Sequence, residues 1–224
     1  MNRMKKFVFF VIWTIFLLLI PVTILRTTPL SIALKNHVTL TNFIQRFLGL
    51  AAFTLLSVQL ILGAFMKYWT EKLGAWIFRF HIFEGILIYS LALLHPIIFM
   101  AYNHYVGAGW NPYAVFINVC VLCQTSLDFY YTLGIISFWL LTLTVFAGLF
   151  RAANPWMRLN WMKLHVFNYL VFLVVGLHGF LVGTDFKIQP YFSFAIIAYA
   201  IVTGVALFIE VPRLYKNYIN WIRS

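Results

Sequence analysis

The sequence predicts an all-α membrane protein built as a bundle of six transmembrane helices. Hydrophobic residues make up 63% of the 224 residues and charged residues only 9%, and the mean hydropathy is +0.92. A soluble domain of this length has no need for so much apolar surface. Six apolar windows are long enough to cross a hydrocarbon core about 30 Å thick. They leave almost nothing for an extramembrane domain, so we expect a single transmembrane domain over residues 1–224.

The six windows lie at about residues 7–25, 43–66, 77–101, 128–150, 163–183 and 191–211. The first follows basic residues, as a secretory signal peptide does. Its apolar run is long for that and no small-residue cleavage site follows, so it is predicted to be a retained span. Most connections are short, which favours antiparallel packing of successive spans. The longest connector, about 102–127, is too short to bind a flavin or a nicotinamide, the chain has no G-x-G-x-x-G motif, and no internal repeat is found.

Basic residues are concentrated on one side of the predicted bundle, which bears on both topology and partners. Only four fall on the other side, namely Arg26, Lys35, Arg46 and Lys187. The positive-inside rule then places both termini in the cytoplasm of an integral membrane protein. The net charge of +11 therefore either serves membrane topology alone or favours contact with lipid headgroups or an acidic protein surface, rather than with nucleic acid. The twelve residues on the cytoplasmic side are Arg3, Lys5, Lys6, Lys67, Lys72, Arg79, Arg151, Arg158, Lys163, Arg213, Lys216 and Arg223.

Four histidines form two pairs inside predicted spans, His81 with His95 in the third and His165 with His178 in the fifth. Coordinating side chains are costly in a bilayer and need a reason to be there. Separations of 14 and 13 residues cover about 21 and 19.5 Å of helix, which places one histidine of each span near each membrane face. Because imidazole is the usual axial ligand of haem iron, we expect two b-type haems held by helices 3 and 5. Structural hydrogen bonding and a proton relay are the alternatives.

The two expected sites pair the histidines by depth. Since the third and fifth spans both run outward, His81 and His165 would hold an inner haem iron, and His95 and His178 an outer one. Fourteen residues return to within about 40° of the same helix face, whereas thirteen fall about 140° short. Either the fifth span is locally distorted or its two haems are rotated relative to each other. Glycines in that span would permit a bend or a close approach, namely Gly176, Gly179 and Gly183.

The histidine-bearing spans resemble a known family. The segment Arg158-Leu-Asn-Trp-Met-Lys-Leu-His165, followed by Val-Phe-Asn-Tyr169 and Leu177-His178-Gly179, is similar to the fifth span of the ferric reductase-like transmembrane domain family, and the 14-residue spacing of His81 and His95 is similar to its third span. The family includes the haem cores of NADPH oxidases and ferric reductases and the haem-binding membrane subunit of bacterial methionine sulfoxide reductase. The resemblance covers essentially the whole chain.

The resemblance implies a route for electrons from a cytoplasmic donor through the inner and outer haems to an external acceptor, such as ferric iron, oxygen or a partner reductase. The chain lacks the flavin and nicotinamide domain of the oxidases, so a separate flavoprotein reductase or a membrane quinol would supply the electrons. One alternative is a quinol- or flavin-fed haem anchor for an extracytoplasmic reductase. A second, from another class, is a haem-free proton or ion transporter.

Three further features invite a chemical role. Arg46, at the external start of the second span, is our candidate partner for a propionate of the outer haem, and an arginine there also resembles the oxidases. Glu84 follows His81 by one helical turn, and it would tune the inner haem, carry a proton, or serve as a protonated structural residue. Cys120 and Cys123 are expected either as a disulfide on an oxidising face, where the outer haem could reduce it, or as two small apolar residues in a re-entrant or partly buried segment.

Overall fold

The computed structural model describes residues 3–213 and 215–216, and the basic residue Arg223 lies outside them. Within these ranges the chain is α-helical and contains no strand. A 3₁₀ helix covers Asp185–Lys187, and a π-helical turn at Ala206–Glu210 continues the last α-helix. The α-helices of the described chain are α1 (Arg3–Thr27), α2 (Leu30–Ala33), α3 (His37–Ala64), α4 (Met66–Leu73), α5 (Trp76–Tyr105), α6 (Pro112–Phe116), α7 (Ser126–Leu149), α8 (Pro155–His165), α9 (Asn168–Val182) and α10 (Tyr191–Val205).

Six helical segments of the described residues are long and apolar enough to cross a membrane, as the sequence predicted. They are Arg3–Thr27, His37–Ala64, Trp76–Tyr105, Ser126–Leu149, Pro155–Val182 and Tyr191–Arg213. Each overlaps one predicted window, and the largest difference is at the fifth span, where helix begins at Pro155 rather than at 163. The protein is therefore an all-helical integral membrane protein. The short helices α2, α4 and α6 in the connectors were not predicted.

Polar residues at the helix starts explain where several of the helices begin. The side chains of Asn36, Thr125 and Asn154 each accept a hydrogen bond from a backbone N–H in the first turn of α3, α7 and α8, respectively. These N–H groups have no partner within their own helix, so a side-chain oxygen at this position stabilises the helix start. Pro155 in the first turn of α8 costs nothing there, because that position needs no N–H donor.

The bundle is organised around α3, which is the most deeply buried of the six spans. It packs against α1, α5, α9 and α10, while α7 packs against α5, α8 and α9. Helices α3, α5, α7 and α9 therefore follow one another around a four-helix bundle, and α5 and α9 lie diagonally opposite each other. Helices α1 and α10 cover the side of this bundle formed by α3.

Two glycines of α9 permit close packing rather than a bend. A Cβ built on Gly176 would lie 2.5 Å from the ring of Tyr199 in α10, and one built on Gly179 would lie 2.5 Å from the ring of Phe186. Next to these contacts, the rings of Phe53 and Phe172 stack with their centroids 4.8 Å apart. The small residues let aromatic side chains fill the space between α3, α9 and α10, and dense packing of this kind holds helices together in lipid.

A buried ion pair joins three parts of the chain at one end of the bundle. Arg46 Nε donates to Asp185 Oδ2 at 2.6 Å and Arg46 Nη2 donates to Asp185 Oδ1 at 2.5 Å. The remaining arginine donors reach the hydroxyls of Thr27 and Thr28 at 2.6 and 2.7 Å. Asp185 is 3% exposed and Arg46 16% exposed in their side chains. The pair therefore fixes the end of α1 and the 3₁₀ helix against α3.

We expect Asp185→Asn to lower the free energy of unfolding by about 1–3 kcal/mol, because it leaves a partly buried guanidinium without its counter-charge. The measurement is thermal or denaturant unfolding of the detergent-purified protein. Lys187→Gln is the matched control, since Lys187 lies in the same 3₁₀ helix but is exposed, and it should change stability little. Equal stability of both variants would contradict a structural role for the pair.

Candidate functional site

The four intramembrane histidines lie where the sequence predicted, on the third and fifth spans. His81 and His95 belong to α5, His165 is the last residue of α8, and His178 lies in α9. The rings of His81 and His165 face each other with centroids 6.4 Å apart and planes at 69°. The structure thus brings the rings of His81 and His165 together across the diagonal of the bundle. His95 and His178 lie further along the same two spans, on α5 and α9, and their pairing stays a prediction.

The fifth span is interrupted between its two histidines, and this break changes the angle between them. Helix α8 ends at His165 and α9 begins at Asn168. Across the junction, the N–H of Phe167 bonds to the carbonyl of Leu164 and that of Tyr169 to the carbonyl of Val166, both at 3.1 Å. Such three-residue turns rotate the chain by about 120° per residue instead of 100°. These turns therefore reduce the shortfall of about 140° between the directions of His165 and His178. Of the two alternatives for this span, the local distortion is present.

Each histidine ring packs against a glycine of the neighbouring helix. A Cβ added at Gly49 or at Gly134 would lie 2.9 Å from a ring carbon, which is too close for any side chain. At Gly63 and Gly148 it would lie 3.3 and 3.4 Å from the ring, a tight contact. The four glycines therefore form the walls against which the imidazoles rest. The pairs are Gly49 with His95, Gly63 with His81, Gly134 with His178 and Gly148 with His165.

Three of the four rings are also held by a backbone carbonyl that lies four residues before the facing glycine. In an α-helix the glycine N–H already bonds to this carbonyl, and a missing Cβ lets a second donor approach it. A carbonyl only accepts hydrogen bonds, so Nδ1 of each ring carries the proton and Nε2 keeps a free lone pair. The bonds run from His95 to Gln45 at 2.9 Å, from His178 to Tyr130 at 2.8 Å and from His165 to Thr144 at 3.1 Å.

These contacts reveal a repeat that was not predicted from the sequence. Helices α3 and α7 each carry two glycines 14 residues apart, and the membrane span that follows each of them carries two histidines at almost the same spacing. The two glycines and two histidines of the α3–α5 hairpin each have a counterpart 83 to 85 residues later in the α7–α9 hairpin. The corresponding residues are Gly49 and Gly134, Gly63 and Gly148, His81 and His165, and His95 and His178. The residues between them differ, so residue identity conceals the repeat. A search for glycine pairs at the spacing of the histidines would have found it.

The inner pair differs from the outer pair in its polar surroundings. Gln59 stands four residues before Gly63, but its side chain Nε2 donates to the backbone carbonyl of His81 at 2.7 Å. His81 Nδ1 and Gln59 Oε1 are buried without a hydrogen-bond partner, and so is Glu84 Oε2. The inner site thus combines one carbonyl-bound imidazole with a group of polar atoms that have unused hydrogen-bonding capacity.

Glu84 is fully buried in α5 one turn after His81. Its Oε1 accepts a hydrogen bond of 2.7 Å from the indole Nε1 of Trp13 in α1. A carboxyl group at membrane depth is costly unless it is protonated or paired. The single indole bond therefore stabilises it and connects α1 to the histidine-bearing helix. Whether Glu84 tunes a cofactor or carries a proton stays a prediction.

Arg46 is the predicted partner of an outer haem propionate, and its donors are largely used within the protein. The ion pair with Asp185 and the hydrogen bonds to the two threonine hydroxyls use all of its N–H groups but one. The remaining N–H, on Nη1, could bind a further acceptor. Asp185 was not singled out from the sequence, where nothing distinguishes it from other loop carboxylates. The contact of Arg46 with a propionate stays a prediction.

The predicted disulfide between Cys120 and Cys123 is present, in the loop that precedes α7. Cys120 is hydrogen-bonded to Thr132, two residues after the carbonyl that holds His178. This loop therefore lies at the end of the bundle that carries the His95 and His178 pair. In the described part of the chain, no group of three or more histidine, cysteine or acidic side chains is placed to hold a metal ion directly.

No family model matches this chain, and no match to it is found among curated proteins or among solved structures. The resemblance of the histidine-bearing spans to a known family therefore stays a prediction.

We expect Trp13→Phe to lower the free energy of unfolding by about 1–3 kcal/mol, because it leaves a buried carboxyl oxygen without its donor. Trp156→Phe is the matched control, because Trp156 is exposed and should tolerate the change. Unfolding of both variants in the same detergent checks this. A Trp13→Phe protein as stable as the control would show that the indole bond contributes nothing.

Proposed function

We propose that the protein conducts electrons across a membrane through two b-type haems. His81 and His165 would hold the inner haem iron, and His95 and His178 the outer one. The electrons would come from a cytoplasmic donor, a flavoprotein reductase or a membrane quinol. They would leave to an extracytoplasmic acceptor, namely ferric iron, oxygen or a partner reductase.

The separation of the His81 and His165 rings is the observation that carries the proposal. A bond from a metal to an imidazole nitrogen is about 2 Å long and the ring centre lies roughly 1.1 Å behind that nitrogen, so two imidazoles on opposite sides of one iron have centres about 6.3 Å apart. The distance between these two ring centroids is 6.4 Å. The residues present therefore fit a bis-histidine haem at the inner position.

The hydrogen bonds of the histidines support the same proposal. A metal-bound histidine ordinarily donates its other ring N–H to a carbonyl or carboxylate, which sets the tautomer and raises the basicity of the coordinating nitrogen. Bonds from Nδ1 of His95, His165 and His178 to carbonyls meet this requirement. They also weigh against a proton relay, because a relay needs ring nitrogens that exchange partners.

When bound between two imidazoles, haem supplies the one-electron chemistry. The protein's own residues orient the rings, exclude water and set the spacing. His81 and His95 lie 14 residues apart on one continuous helix, which separates the two positions by about 21 Å along its axis. The glycines opposite the rings keep the neighbouring helices close, and the apolar spans shield the path from solvent.

The charge distribution and the disulfide support an inside-to-outside direction. The end of the bundle with Cys120 and Cys123 is the end with few basic residues, which the positive-inside rule places outside. Disulfides persist in oxidising compartments and are rare in the cytosol. Both observations favour cytoplasmic termini and an external His95–His178 pair.

Partner dependence separates the two electron-transfer alternatives. A self-sufficient reductase would reduce a free ferric chelate once its haems are reduced, whereas an anchor that feeds an extracytoplasmic reductase would do so only with that partner present. A haem-free transporter would have no visible haem absorbance at all. The spectrum and the chelate assay together therefore distinguish all three functions.

We expect the purified protein to hold two low-spin b haems per chain, and His95→Ala to lose the outer haem while keeping the inner one. The measurement is a dithionite-reduced minus oxidised spectrum, with haem quantified per polypeptide. His104→Ala is the matched control, because His104 is exposed near the end of the same helix, and it should retain both haems. Absence of haem after expression with ample haem would overturn the proposal, and two haems in His95→Ala would overturn the ligand assignment.

We also expect Gly134→Ala to weaken retention of the outer haem about tenfold, because the added Cβ pushes the His178 ring out of position. Gly204→Ala is the matched control, since a Cβ there would meet no atom within 4 Å. Haem per chain after dilution or competition with apomyoglobin gives the comparison. Equal retention in the two variants would show that the glycine wall is not needed.

A further inference from the structure

The disulfide in the loop before α7 has features that the proposed electron path does not use. Cys120 and Cys123 are separated by only two residues, Val121 and Leu122, whose exposed fractions are 92% and 91%. A disulfide that closes so short a loop restrains the unfolded chain little, because its stabilising effect grows with loop length. Both cysteines are only partly buried, so an external thiol can approach the bond between the exposed side chains of the loop. A purely structural role therefore explains this bond poorly.

The two sulfur atoms are held differently. The hydroxyl of Thr132, buried in α7, donates to Cys120 Sγ at 3.2 Å and accepts from the Cys120 N–H at 3.1 Å. Cys123 Sγ lies 3.6 Å from the Cys120 carbonyl oxygen, within the loop itself. Cys120 is thus anchored to a transmembrane helix by two hydrogen bonds. A hydroxyl donor at a sulfur stabilises that sulfur as a departing thiolate.

We propose that Cys120–Cys123 is a thiol–disulfide exchange site for an extracytoplasmic protein dithiol, with Cys123 as the attacked sulfur and Cys120 as the leaving thiolate. The exposed Val121 and Leu122 form an apolar contact for that dithiol partner between the two sulfurs. The site is independent of the haem proposal, since it requires no electron from the histidine pairs.

The exchange balances without any further oxidant or reductant. A partner thiolate attacks Cys123 Sγ, the Cys120–Cys123 bond breaks as the mixed disulfide forms, and Cys120 leaves as a thiolate. The second partner thiolate then attacks the partner's own sulfur in the mixed disulfide, and Cys123 leaves. The partner dithiol becomes a disulfide, and its two protons are transferred through water to Cys120 and Cys123. The reverse sequence oxidises the loop again.

The first test uses the unmodified full-length protein in detergent and reduced glutathione as the probe. After a brief reaction and alkylation, peptide mass spectrometry identifies which cysteine carries glutathione. We expect glutathione on Cys123 and the alkyl group on Cys120. An equal distribution, glutathione mainly on Cys120, or a disulfide that is reduced only after unfolding would overturn the proposal.

The second test compares the two single-cysteine proteins, after thermal unfolding has confirmed that each is folded. Cys123→Ser leaves Cys120, whose thiolate the Thr132 hydroxyl stabilises, and Cys120→Ser leaves Cys123 without that donor. We expect the pH midpoint of iodoacetamide alkylation to be lower for Cys120 than for Cys123 by about one pH unit, and adding Thr132→Val to the Cys123→Ser protein should abolish the difference. Equal midpoints, or alkylation only by a membrane-permeant reagent because the loop lies in lipid, would contradict the proposed exchange site.

Discussion

Each imidazole at membrane depth has two ring nitrogens, and hydrocarbon offers neither of them a partner. The bundle meets this constraint by placing the ring against a helix whose carbonyl can accept a second hydrogen bond. A Cβ on the residue four positions later would lie 2.9 Å from the ring at Gly49 and at Gly134, so these two positions require glycine, whereas at Gly148 it would lie 3.4 Å from the ring. The helix pairing, the depth of the histidines and the orientation of Nε2 all depend on this contact. It also leaves Nε2 available to a ligand between the helices.

The α3–α5 and α7–α9 hairpins solve this problem in the same way, which gives the four-helix bundle an approximate two-fold character. The exception is the inner position of the first hairpin, where Gln59 binds the backbone of His81 and the ring nitrogen has no partner. Glu84 lies one turn away with an unused oxygen. The inner pair is therefore the more polar and less constrained of the two, whereas the outer pair has both Nδ1 atoms held by carbonyls. The two haems of the proposed path would experience different environments.

The outer end of the bundle contains two further elements around the same histidine pair. The Arg46–Asp185 pair fixes the end of α1 and the 3₁₀ helix to α3, and Thr132 connects the disulfide loop to the turn of α7 that holds His178. Buried ion pairs and side-chain hydrogen bonds of this kind add specificity to helices that otherwise associate by packing alone. Polar contacts therefore connect α1, the 3₁₀ helix and α3, and connect the disulfide loop with α7, at the end of the bundle that carries His95 and His178.

The sequence by itself determined the membrane class and the six spans, because hydropathy and helical spacing are local properties that a bilayer enforces strictly. It also indicated that the spacing of His165 and His178 requires a distortion or a rotation. Only the tertiary structure showed that a distortion is present, at the break between α8 and α9, and that the rings of His81 and His165 lie close together. Asp185, Thr132 and the glycine walls likewise emerged only from the fold. Their roles depend on which helix faces which, and contacts between residues so distant in the chain have no local signature.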